Sequence, residues 1–135
     1  MTTRTDDASG SVHREIETLL NRSAAAWSAG DLDEFMECYE NSADTIYLTA
    51  TRIVAGYAEI RSMYAQRFGA GSDRSMGILA IEVVRVTLLG SEHALAVGSI
   101  SLEGVTATRE DRKGVCSLIL HKTTRGWRIS ADHTS

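Results

Sequence analysis

The hydrophobic repeat of this chain changes once, near its midpoint, and that change limits the fold more than any other feature. Up to Gly69, a short hairpin over 45–55 apart, the apolar residues recur at i, i+3, i+4 and i+7; from Ile78 onward the repeat is two. Helices therefore come first and strands last, which specifies an α+β domain with a helical layer covering one face of a sheet.

Three amphipathic helices are predicted. The first begins at Val12 and places Ile16, Leu19, Leu20, Ala24 and Trp27 on one face, with Arg14, Glu15, Glu17, Asn21 and Arg22 off it. Gly30 ends it, and Asp31 caps the second helix, with Glu34 spaced to reach back to the cap backbone. That helix presents Leu32, Phe35, Met36 and Tyr39 at helical spacing. A hairpin over 45–49 and 52–55 follows. Gly56 then opens a third helix with Tyr57, Ile60, Tyr64 and Phe68 on one face, Gly69 closes it, and 70–75 read as a loop.

Four strands are expected over 78–89, 94–102, 115–122 and 127–133, joined by hairpin-length connections. Gly98 and Gly104, associated with the second of these, mark a bulge or bend. A sheet bent around helices encloses a pocket. Leu79, Ile81 and Val83 alternate with Ile78, Ala80, Val84 and Val86, so both faces of the sheet carry apolar residues. Three helices cover one face, and a second copy of the chain is the expected cover for the other, making a homodimer through the sheet.

A chain of 135 residues, 43% hydrophobic and 24% charged, has the size and composition of one globular domain with an unstapled core. Residues 1–11 read as a flexible tail and 12–135 as the domain. A formal net charge of −4 with no basic cluster argues against nucleic acid and anionic membrane as partners. The run Arg109 to Lys113 is broken by Glu110 and Asp111 and reads as a solvated turn. No apolar run approaches the ~18 residues of a membrane span, and no apolar stretch follows the first residues as in a secretory leader, so the cytoplasm is the expected compartment.

Cys38 and Cys116 lie in apolar segments and read as reduced core thiols. His13, His93, His121 and His133 lack metal-ligand spacing, and Gly69-Ala70-Gly71 is followed by Arg74 where a dinucleotide fingerprint needs its third glycine. Neither a metal nor a cofactor is expected.

Four motifs in order carry a resemblance that spans 12–135. They are Ala26-Trp27-Ser28-Ala29-Gly30-Asp31-Leu32-Asp33 at the helix joint, Tyr39 before a polar turn, Val54-Ala55-Gly56 with Ile60-Arg61 and Tyr64, and Gly126-Trp127-Arg128-Ile129 ending in Asp132-His133-Thr134-Ser135. The chain resembles the NTF2-like superfamily, most closely its SnoaL-like, DUF4440-like branch. The resemblance implies a cone, in which a strongly curved mixed sheet wraps three helices from the N-terminal half and leaves a pocket at its open end. It does not fix a function, because this fold hosts isomerases, dehydratases, cyclases, hydrolases and non-catalytic members. An ungapped match to ketosteroid isomerase puts Tyr47 where that enzyme's catalytic aspartate stands, and a phenol with a pKa of about 10 is a poor base at neutral pH. Ala131 stands where close relatives often carry histidine.

By strict alternation His133 shares a strand face with Trp127, Ile129 and Ala131. Two readings stand for it: a proton-transfer group at an apolar cavity wall, or a hydrogen-bonded histidine near the chain end. Asp132 then points away, unless a bulge turns it inward as a carboxylate with a raised pKa. The catalytic candidates are His133, Asp132 and Tyr47. The ligand-binding candidates are Trp27, Tyr39, Tyr64, Phe68 and Trp127, for which packing is the competing role. The leading functional expectation is a cone binding a small, mostly apolar metabolite, with cofactor-free acid–base chemistry of isomerase, cyclase, dehydratase or hydrolase type. The alternative is a non-catalytic ligand-binding or dimeric association module.

Overall fold

A computed structural model of the chain describes residues 3–69, 76–104 and 111–135. The expected loop over 70–75 and part of the connection over 108–114 lie outside the described residues. The elements run α1 (Thr3–Ala29), α2 (Leu32–Glu37), β1 (Ile46–Leu48), β2 (Ile53–Ala55), α3 (Tyr57–Gly69), β3 (Ile78–Leu88), β4 (His93–Glu103), β5 (Arg112–Thr123) and β6 (Gly126–Thr134). Helix α1 thus starts nine residues before Val12, and most of the stretch read as a tail is helical. None of the described helices is long and apolar enough to cross a membrane.

The strands form one mixed six-stranded sheet in the order β2-β1-β6-β5-β4-β3. All neighbours are antiparallel except β1 and β6, which run parallel. The parallel join follows from chain order, since α3 and three long strands intervene before β6 returns to lie beside β1. The sheet is open, with β2 and β3 as its edges.

Two irregularities bend this sheet. The β3–β4 register slips between Val83 and Arg85, leaving Val84 unpaired opposite Gly98 and Val97. Gly98 is required there, because a Cβ on it would sit 2.5 Å from the Glu82 carbonyl oxygen. The second slip, between Ile119 and Leu120 of β5, falls at Ser130 of β6. Ser130 is the extra residue, and its hydroxyl donates to the Ile119 carbonyl at 3.1 Å. Every β6 side chain beyond it changes face.

The helices fill the concave side. Ile16, Leu20, Met36, Ile60 and Leu120 are fully buried at the helix–sheet contact. The Asp31 side chain caps α2 by accepting from the Glu34 amide at 3.1 Å. Glu34 does not complete the expected reciprocal cap; its carboxylate turns to the Arg22 guanidinium of α1. That ion pair closes the helix joint instead. Helix α1 is tied to the start of β3 by the Trp27 indole N–H, which donates to the Met76 carbonyl at 3.0 Å, and by the Leu79 amide, which donates to Ser28 Oγ at 2.9 Å.

Candidate functional site

A cavity of about 340 Å3 lies between the helices and the concave face of the sheet. Its volume is at the low end for small-molecule sites. Trp27, Phe35, Tyr39 and Tyr64 wall it on the helical side and Leu79, Ile81, Ile100 and Leu118 on the sheet side. The aromatic wall is self-supporting. Trp27 meets Phe35, Tyr64 and Phe68 edge-on at centroid separations of 5.6, 6.1 and 5.4 Å.

Asp132 is the one buried carboxylate among the described residues, 6% exposed at the cavity wall. Tyr39 Oη donates to its Oδ2 at 2.6 Å and Thr134 Oγ1 donates to its Oδ1 at 2.7 Å. Burial raises its pKa above the ordinary aspartate value, while the bonds from Tyr39 and Thr134 and the nearby His133 pull the other way without cancelling it. Burial, with the charge of Asp132 next in weight, pushes the Tyr39 and Tyr64 phenols well above 10. Burial raises Tyr47 as well. These phenols therefore stay protonated at neutral pH.

The Tyr64 ring packs between those of Tyr39 and Tyr47, at centroid separations of 6.3 and 5.7 Å.

The structure brings together Asp132, Tyr47, Tyr39, Tyr64 and Trp27 among the sequence candidates. It excludes three from the cavity wall. His133 is exposed and pairs across the sheet with Ser117, because the Ser130 bulge reverses the alternation that placed it inward. Trp127 is buried at the far end of β6, beside a groove formed with Leu19, Arg22 and Arg128, and not at the cavity. Phe68 packs behind Trp27 and does not line the space.

Sequence reasoning missed Thr134, two residues from Asp132 on the same face, and the cations at the mouth. Arg67 follows Tyr64 by three residues on α3, a spacing that puts both on one helix face. Arg112 and Lys113 line the mouth from the start of β5, where the solvated turn was expected.

The other ionisable clusters lie elsewhere. His93 and His121 stack at 4.6 Å across β4 and β5, and Glu40 bonds the His121 ring at 2.9 Å, raising its pKa. Cys38 and Cys116 are free and buried, with thiols pushed up to about 11 by desolvation. Among the described residues no three His, Cys, Asp or Glu side chains converge as a metal site would need.

A family model described as a SnoaL-like domain matches residues 16–135. No curated protein matches the chain. Among solved structures, an NTF2-like protein of unknown function from Shewanella oneidensis is similar over 91% of this chain and 98% of its own, at 25% identity and a TM-score of 0.81. An NTF2-like superfamily protein from Salmonella enterica serovar Typhimurium aligns over 93% and 91% of the two chains, at 20% identity and a TM-score of 0.72. A ketosteroid isomerase-like protein from Erwinia carotovora atroseptica aligns over 90% and 93%, at 20% identity and a TM-score of 0.67. The last two likenesses are of fold alone.

Proposed function

The chain belongs to the SnoaL-like domain family, and from that premise we propose that its cavity binds a small, mostly apolar metabolite and moves a proton on it without a cofactor. Asp132 is the base in this reading, in place of His133. The observation that carries it is the buried carboxylate at the cavity wall, held by two hydroxyl donors, with its pKa raised by burial. Each carboxylate oxygen accepts one of these bonds and keeps a lone pair for a substrate proton. Tyr47 is the cross-strand partner of Asp132 in the parallel β1–β6 pairing. The aspartate missing at position 47 is thus replaced by one on the adjoining strand. A substrate carbonyl bonded to the Tyr47 hydroxyl would hold its neighbouring C–H near Asp132, an arrangement suited to enolisation.

The test is hydrogen–deuterium exchange. Aryl ring ketones incubated with the protein in deuterium oxide should gain deuterium beside the carbonyl, read by mass spectrometry. Asp132→Asn should reduce that rate by about 100-fold or more, as loss of a general base does, and His133→Ala should leave it unchanged. Dependence on His133 in place of Asp132 would sink the assignment. Binding without exchange would favour the second reading, a non-catalytic module.

The outer face of the sheet supports association. Ile78, Val84 and Val115 are each more than 60% exposed, and small residues such as Ala80 and Ser101 lie between the apolar ones. A second copy packed face to face would cover them by an isologous contact. Sedimentation at micromolar concentration should show a dimer; a monomer alone would remove this part of the proposal.

A further inference from the structure

The charge at the cavity mouth narrows the ligand class, provided that the cavity binds a small apolar molecule as proposed above. Arg67, Arg112 and Lys113 line the mouth from α3 and β5. Three arginines away from the cavity are ion-paired, Arg22 with Glu34, Arg61 with Asp33 and Arg125 with Glu37, whereas Arg14, Arg52, Arg85 and Arg128 have no ion pair among the described residues. Among the described residues the three mouth cations have no carboxylate within ion-pairing distance. Asp132, inside the same cavity, is already held by Tyr39 and Thr134.

Arg67 is also held in place. Its guanidinium lies 5.3 Å from the Trp27 ring centroid, over the wall of the cavity, and its charge lowers the pKa of Tyr47. A cation stacked on a buried indole loses little further freedom when it takes a ligand. The chain as a whole is acidic, with a net charge of −4, so three cations at one opening, with no ion pair among the described residues, form a local field against the background.

We propose that the ligand is an amphipathic anion, its apolar body inside against Trp27, Ile81 and Leu118 and its acidic group at Arg67, Arg112 and Lys113. A carboxylate or sulfonate head satisfies the mouth, while the uncharged body suits the wall. The anionic head also keeps the reacting end inside, next to Asp132, by fixing which end enters first.

A matched pair of fluorescent probes separates head from body: anilinonaphthalene sulfonate, and phenylnaphthylamine, the same ring system without the sulfonate. The unmodified protein should prefer the sulfonate by about tenfold or more, as one or two charge-assisted hydrogen bonds allow. The preference should shrink as salt is raised. The triple variant Arg67→Gln, Arg112→Gln, Lys113→Gln changes exposed side chains only. It should lose the preference and keep its affinity for phenylnaphthylamine. Ile81→Trp, which fills the cavity, should weaken both probes. Equal binding of the two probes, or a preference that survives the triple variant or high salt, overturns the anion proposal and leaves the cavity reading standing. Failure of both probes to bind, or indifference of both to Ile81→Trp, overturns the two together.

Discussion

Trp27→Ala is expected to lower the unfolding free energy by about 3–5 kcal/mol, the range for truncating a buried tryptophan. Total stabilities of single domains run from about 5 to 15 kcal/mol, so the loss is a large fraction of the whole. Three causes add. The indole is 7% exposed and meets Phe35, Tyr64 and Phe68, so its removal takes one edge contact from each of three rings. Its N–H is bonded to the Met76 carbonyl, which ties α1 to the start of β3. The space left behind adds to the cavity that the indole lines. Urea unfolding measures the loss directly. Trp27→Phe, which keeps an aromatic ring but not the N–H, should lose less than half as much. A loss below about 1 kcal/mol for the alanine variant would mean that the aromatic wall is not part of the core.

The same residue shows what the sequence could reveal. Trp27 was legible as a core-face residue because helical periodicity is a local property, set by which positions share a face. The strands were legible for the same reason, and Gly98 marked a bulge in the β3–β4 pairing, although the extra residue, Val84, lies in the facing strand and not in its own. The site depended on something less local. Ser130 has no property that marks it as an extra residue, since a bulge is decided by the register with β5. One unpaired residue was enough to exchange His133 for Asp132 at the cavity. The mouth cations were hidden for another reason. Arg112 and Lys113 look like turn residues until β4 and β5 pair and bring them to the cavity that Arg67 also lines.

Asp132→Asn should slow proton transfer by about 100-fold or more and at the same time stabilise the fold at neutral pH. The raised pKa of Asp132 means that between the unfolded aspartate value, near 3.9, and the folded value the native state binds more protons than the unfolded one. Stability therefore falls as pH rises through that window, and above it the buried charge weighs against folding. Asparagine keeps the geometry without the ionisation. Its oxygen accepts from Tyr39, and its amide can donate to Thr134, whose hydroxyl then turns its lone pair inward. A gain of about 0.5–2 kcal/mol at pH 7 is the usual size when a strained functional group is relieved. Melting curves for both proteins should coincide below pH 3 and separate as pH rises through the folded value. His121, raised by Glu40, also loses its contribution to stability as pH rises through its own folded value, but it does so equally in both proteins and drops out of the difference. Parallel curves at every pH would show that Asp132 does not ionise in this range and is no base. Asp132→Leu provides the opposite control: it removes the charge but strands the Tyr39 phenol without its acceptor, so it should destabilise where the asparagine stabilises.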